Sequence, residues 1–81
     1  MTITVNLPKL LEKFDQEYEF LYDNYDRVAG YSEAVDAFDE FLKNPKFREL
    51  VDKFNEYRQD FIMSDREAGA FMFALESFGL L

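Results

Sequence analysis

Two residue types with wide chemical use are missing from this chain. Its 81 residues include no cysteine and no histidine. Without cysteine there is no disulfide, no thiol nucleophile and no thiolate-bound zinc. Without histidine the commonest general base and the commonest transition-metal ligand are both absent. We therefore expect no catalytic residue, no cofactor and no metal site, and a protein that is not an enzyme.

The remaining carboxylate and hydroxyl groups do not change that expectation. An EF-hand loop needs alternating oxygen ligands around a central glycine. The segment that follows Asp23 offers only Asp26 at a suitable distance, and Gly30 comes too late. The serines have no histidine that could activate them, and two of them, Ser32 and Ser64, stand where helix caps are expected.

Long apolar runs and an excess of cations are also lacking. No segment approaches the roughly 18 apolar residues that a membrane span needs, and the N-terminus does not resemble a signal peptide. We therefore expect a soluble, cytoplasmic protein. Nine Lys and Arg against 17 Asp and Glu give a net charge of −8. That sign disfavours direct binding to nucleic acid and favours a protein partner with a basic surface.

What the chain does have is aromatic residues, ten Phe and five Tyr. Each aromatic side chain buries a large area, so a short chain can build a real core, and a disordered chain would be poor in them. Eighty-one residues correspond to one domain, residues 1–81. Fifteen aromatics exceed what so small a core needs, so we expect surplus apolar surface.

Hydrophobic periodicity and helix punctuation predict an all-α, compact four-helix domain. The helices are expected at about residues 7–29, 33–43, 45–62 and 65–78, after a short extended arm at residues 1–5. Expected boundaries are an Asn6 cap, a Gly30 stop, a Ser32 cap and a Ser64 to Glu67 capping box. Asn44-Pro45 separates helices two and three, and Gly79 ends the fourth helix.

Each predicted helix has one apolar face. The first shows a heptad-like seam, and the others show faces of five or six residues. The expected core residues are Leu7, Leu11, Phe14, Tyr18, Leu21, Tyr25 and Val28; Ala34, Val35, Phe38, Phe41 and Leu42; Phe47, Leu50, Val51, Phe54, Tyr57 and Phe61; and Ala68, Phe71, Met72, Leu75 and Phe78.

Five carboxylates of the first helix fall in one stripe opposite its seam. At about 100° per residue they occupy a width of roughly 80° without an intervening Lys or Arg. Tyr22 borders the stripe, and the second helix adds further acids on its outer face. The predicted partner-binding face consists of Glu12, Asp15, Glu19, Tyr22, Asp23, Asp26, Asp36 and Glu40.

Two interpretations of this stripe remain open: an ordinary solvated face, or a docking surface for a cationic partner. Small acidic proteins of this style include the compact inhibitors that phages and mobile elements encode. An inhibitor of this kind would dock the acidic face on a basic surface, such as a nucleic-acid-binding groove, and block it. As a mimic of nucleic acid the stripe is thin. Five charges over about 21 Å give one per about 4 Å, against one per about 1.7 Å in duplex DNA.

The fourth helix shows a second apolar face, formed by Ala70, Phe73 and Ser77. Either this helix is buried on all sides, or the second face serves self-association. The alternative function is therefore a helical homo-oligomer, such as a homodimer or an assembly component. Arg58 lies on the apolar face of the third helix, where we expect its stem on the core and its head in water, or in an interface.

Overall fold

The computed structural model describes residues 5–60 and 62–80. It contains four α-helices within that part of the chain: α1 (Leu7–Asn24), α2 (Tyr31–Phe41), α3 (Pro45–Tyr57) and α4 (Asp65–Ser77), with a 3₁₀ turn at Tyr25–Arg27 after α1. The predicted all-α, four-helix fold is confirmed. The predicted arm lies outside the described residues except for Val5, and so does Phe61.

Helix starts follow the predicted side-chain caps at α1 and α4, and α3 starts with a side-chain cap that was not predicted. The Asn6 side chain accepts a hydrogen bond from the Lys9 backbone N–H, with Pro8 in the first turn of α1. At the start of α4 the capping box is complete, because Ser64 and Glu67 each accept a hydrogen bond from the other's backbone N–H. Asn44 caps α3 in the same manner. These caps satisfy amide groups that the first helical turn leaves unpaired.

Helix α1 ends five residues earlier than predicted. Asn24 leaves the helical region, with φ −127°, and its side-chain amide donates to the Phe20 carbonyl one turn back. The predicted Ser32 cap is also wrong. Gly30, with φ +84°, occupies the N-cap position of α2, and α2 begins directly after it at Tyr31. The glycine therefore starts the second helix rather than ending the first.

Helix α3 also stops five residues early, at Tyr57 instead of residue 62. Gln59 adopts a positive φ of 59°, and the Asp60 N–H donates to the Asn55 carbonyl across the turn. This is the Schellman arrangement that usually carries glycine at the left-handed position. Because the residue here is glutamine, composition alone did not reveal the stop. Gly79, with φ +73°, ends α4 as predicted.

Helix α4 is the central element, and α1 and α2 both pack mainly against it. Phe71 and Leu75 are completely buried, and the Phe71 ring meets the Phe54 ring of α3 with centroids 5.0 Å apart. Gly69 lets the Tyr31 ring approach, since a Cβ at that position would lie 3.1 Å from the ring. The core is thus built around α4, the helix with the most buried residues.

The buried residues differ from the predicted core at several positions. Leu10, which the predicted seam omits, is completely buried, because α1 turns this side toward α4. Tyr25, Tyr57 and Phe78, all predicted core residues, are instead exposed, at 41%, 45% and 39%. Each of these residues stands at the end of its helix. The apolar spacing continues to that residue in the sequence, but the core no longer covers its side chain.

Candidate docking surface

The acidic stripe lies on the surface along its whole length. The structure exposes all five of its carboxylates: Glu12, Asp15, Glu19, Asp23 and Asp26. Among the residues that the structure describes, none of these five forms an ion pair. Of the two lysines of α1, Lys13 pairs instead with Glu17 at 3.3 Å. The negative charges of the stripe are therefore open to a partner.

The early end of α1 shortens the regular part of the stripe. Glu12 to Asp23 lie within the helix and span about 16 Å at 1.5 Å per residue. Asp26 lies in the 3₁₀ turn and so leaves the helical register. The stripe is a row of four helical carboxylates with a fifth beyond the corner.

Exposed aromatic side chains border the stripe on both sides. Tyr22 and Phe20 are each 56% exposed, and on the helical wheel they fall on opposite flanks of the carboxylates. Tyr22 was predicted as part of this face, whereas Phe20 was missed. Its signal was available, because Phe20 lies off the apolar seam in the sequence. Exposed aromatic rings beside charges are typical of interface anchors.

Arg66 of α4 lies beside the stripe, next to Tyr22. Its guanidinium lies 5.4 Å from the Tyr22 ring centroid and 4.2 Å from that of Tyr25, which are cation–π distances. The Tyr25 ring in turn lies beside the Tyr31 ring, with their centroids 5.7 Å apart. Burial raises the pKa of the Tyr31 phenol, and the nearby Asp65 carboxylate adds to this effect. The stripe therefore has a cation at one edge that α1 alone did not reveal.

The acids predicted on α2 are exposed, but their situation differs. Asp36 and Glu40 both face solvent. Glu40 is partly neutralised, because Lys43 Nζ lies 3.0 Å from its carboxylate. Within the described residues, no hydrogen bond, ion pair or ring contact joins either side chain to α1. The structure does not tie these two acids to the stripe.

Arg58 departs from both interpretations of its sequence position. Its side chain is only 8% exposed, so its head is neither in water nor in an external interface. The guanidinium donates from Nη1 to Glu67 Oε2 at 2.6 Å and from Nε to Asn55 Oδ1 at 2.9 Å. It also lies 5.4 Å from the Phe14 ring centroid. These contacts link α1, α3 and α4 inside the fold.

Contacts with Arg58 and Ser64 keep the Glu67 carboxyl in its charged form. Burial by itself would raise the pKa of its carboxyl. The Ser64 backbone N–H, the Arg58 guanidinium and the Ser64 side chain oppose this effect and leave the pKa below its ordinary value. One carboxylate therefore serves both the helix cap and the buried ion pair. Sequence reasoning identified the cap and missed the pair, because Arg58 precedes the α3–α4 connection.

The second face of α4 is only partly open. Ala70 is completely buried inside the single chain, so it has no surface to offer to a second copy. Phe73 is half-buried, and Ser77 is exposed with its hydroxyl donating to the Phe73 carbonyl at 3.2 Å. Of the predicted self-association residues, Phe73 and Ser77 alone reach the surface.

Within residues 5–60 and 62–80, no three acidic side chains are placed to share a metal ion. None of the described helices is both long and apolar enough to cross a membrane. Comparison with protein-family models, curated proteins and solved structures gave no significant match, so function must be argued from this chain's own residues.

Proposed function

We propose that this protein is a non-enzymatic acidic interaction module. It docks the α1 stripe on a basic surface of a partner protein, such as a nucleic-acid-binding groove, and thereby blocks that surface. The observation that carries this proposal is the row of exposed carboxylates without ion pairs along α1. Neighbouring like charges at i,i+4, such as Glu19 and Asp23, cost a helix about 0.2–0.5 kcal/mol per pair. A cationic partner would relieve that repulsion.

The spacing of the charges indicates the kind of basic surface. Four carboxylates over about 16 Å of α1 give one per roughly 4 Å, more than about twofold sparser than the phosphates of duplex DNA. The stripe therefore suits separate Lys and Arg side chains better than it imitates a continuous phosphate backbone. Phe20 and Tyr22, both exposed, supply apolar contacts on either side. Charge would guide the encounter, and the rings would add affinity.

The experiment is capture of the partner with a charge-reversed protein. Immobilised wild-type protein is incubated with lysate of the source cells at low and at high salt, beside a variant carrying Glu19→Lys and Asp23→Lys. We expect the variant to lose the partner, and the wild type to lose most of it at high salt, because screening weakens exposed charge pairs. The captured partner is then tested for displacement of its nucleic acid.

A matched control carries the same charge change on another helix. Glu49→Lys with Asp52→Lys adds four units of positive charge to α3, where both side chains are exposed. If docking uses the stripe, this control retains the partner. Equal loss in both variants would show that only net charge matters, and equal retention in both would refute the proposal.

The alternative, a homo-oligomeric assembly protein, is favoured by a different observation. An apolar cluster surrounds Lys9 at one end of the molecule: Val5, Phe78 and Leu80 line the same depression. Light scattering over a range of concentrations tests this function. A dimer or larger species that dissociates on Phe78→Asp would support it. A monomer at every concentration would rule it out.

A further inference from the structure

A second surface groove lies between α2 and α4, away from the stripe. Its floor is formed by Ala34 and Met72, which are buried, and its wall by Phe73, which is half-buried. Exposed residues of α2 form one rim, including Ala37 and Glu33, while Glu76 of α4 stands on the other. No residue of α1 takes part in it. This groove is where the second apolar face of α4 reaches the surface.

The size of the groove suits a protein side chain better than a free small molecule. Its volume is about 250 Å³, below the roughly 300–1,000 Å³ usual for small-molecule pockets. On the α2 side the residues are small, Gly30, Ala34 and Ala37, so a partner backbone can come close. Narrow apolar grooves between helices are typically filled by the apolar face of another helix.

The rim charges determine which helix fits. Glu33 and Glu76 are both exposed, no Lys or Arg lines the groove, and neither carboxylate forms an ion pair within the described residues. In a symmetric dimer the same patch of each copy would meet, which would place four carboxylates together. Like charges across an interface are unfavourable, so a second copy is disfavoured. A helix with lysines or arginines beside its apolar residues is complementary.

We propose that the α2–α4 groove is a docking site for a cationic amphipathic helix of a partner protein. One large apolar side chain of that helix packs against Phe73 over the floor formed by Ala34 and Met72. Flanking basic side chains pair with Glu33 and Glu76. This site goes beyond the proposed role of the stripe, because it is a separate apolar groove whose lining includes no residue of α1.

The test uses a synthetic helical peptide of leucine and lysine in an amphipathic pattern, and a matched peptide with glutamate in place of lysine. Amide chemical shifts of the isotope-labelled full chain are followed during titration. We expect saturable shifts at Gly30, Ala37, Phe73 and Glu76 with the lysine peptide, and none with the glutamate peptide. Ala37→Leu fills the groove and should weaken binding by about tenfold through steric exclusion.

Charge variants of the rim test the same site even if Ala37→Leu does not fold. Glu33→Gln with Glu76→Gln should weaken peptide binding by about threefold to tenfold. The same loss of two charges on α3, through Glu49→Gln and Asp52→Asn, should leave it unchanged. Because these variants retain the stripe, failure here and failure of the stripe proposal are separate results.

Several outcomes would overturn the proposal. These are the absence of shifts at the groove, shifts confined to α1, equal response to both peptides, or equal weakening by the α3 control. Shifts at the groove that grow with protein concentration before any peptide is added would assign it to a second copy instead. Groove shifts that Ala37→Leu abolishes, while those at α1 persist, support it.

Discussion

The contacts of Arg58 allow the effect of one substitution on stability to be predicted. Arg58→Met keeps an unbranched apolar side chain but removes the guanidinium that lies over the Phe14 and Phe54 rings. It also removes the hydrogen bonds to Glu67, Asn55, Asp60 and the Ile62 carbonyl. Breaking a fully buried pair costs about 3–5 kcal/mol, and a surface pair is worth about 0–1. The two side chains are 8% and 18% exposed, so this pair lies nearer the buried limit.

We therefore expect Arg58→Met to lower the free energy of unfolding by about 2–3 kcal/mol. For a domain of this size that loss corresponds to a fall in Tm of about 10–20 °C. Urea unfolding followed by far-UV circular dichroism measures the first quantity, and thermal unfolding the second. The control is Lys43→Met, which breaks the exposed pair with Glu40 and should change stability by less than about 0.5 kcal/mol.

The same pair predicts a dependence on pH. The pKa of Glu67 in the folded protein lies below its ordinary value of 4.5, so folding favours the ionised form. Its contribution to stability is therefore present above about pH 4.5 and is lost as the pH falls through the folded pKa. Glu67→Gln should accordingly cost stability at neutral pH and much less in acid. A cost that does not change with pH, or an Arg58→Met variant as stable as the Lys43→Met control, would refute this reasoning.

Two helix boundaries give further predictions. Ser64→Ala removes the α4 cap and should cost about 1 kcal/mol, whereas Ser32→Ala should cost almost nothing because Gly30 holds the cap position of α2. Gln59→Gly should stabilise the protein by about 0.5–1 kcal/mol, since glycine adopts the positive φ without strain, and Gln59→Ala should not. Urea unfolding checks both; equal costs at the two serines, or a destabilising glycine, would contradict them.

Signals that act within a few residues were predicted well. The Asn6 cap and the Ser64 to Glu67 capping box each depend on side chains three residues from the amide that they bind. Gly79 likewise ends α4 because its own φ is positive. Such contacts join residues that are close together in the sequence, so they can be predicted from the sequence of one chain.

Features that depend on distant residues could not be predicted in this way. α1 ends at Asn24 although the apolar pattern continues to Val28, and the corner is packed by Arg66 from the far end of the chain. Arg58 looked like a face-edge residue because nothing in α3 shows that Glu67 lies opposite. Exposure of the acidic stripe followed from helix geometry, whereas the cation at its edge required the tertiary fold.

The central claim is that the α1 stripe is the docking surface, and the affinity of the captured partner for stripe variants tests it most directly. The measurement is the dissociation constant at low and high salt for wild type, for Glu19→Lys with Asp23→Lys, and for the α3 control. We predict that the stripe variant binds at least about tenfold more weakly at low salt and that its affinity depends less on salt than that of the wild type or the control. Equal affinities for all three proteins would contradict the claim.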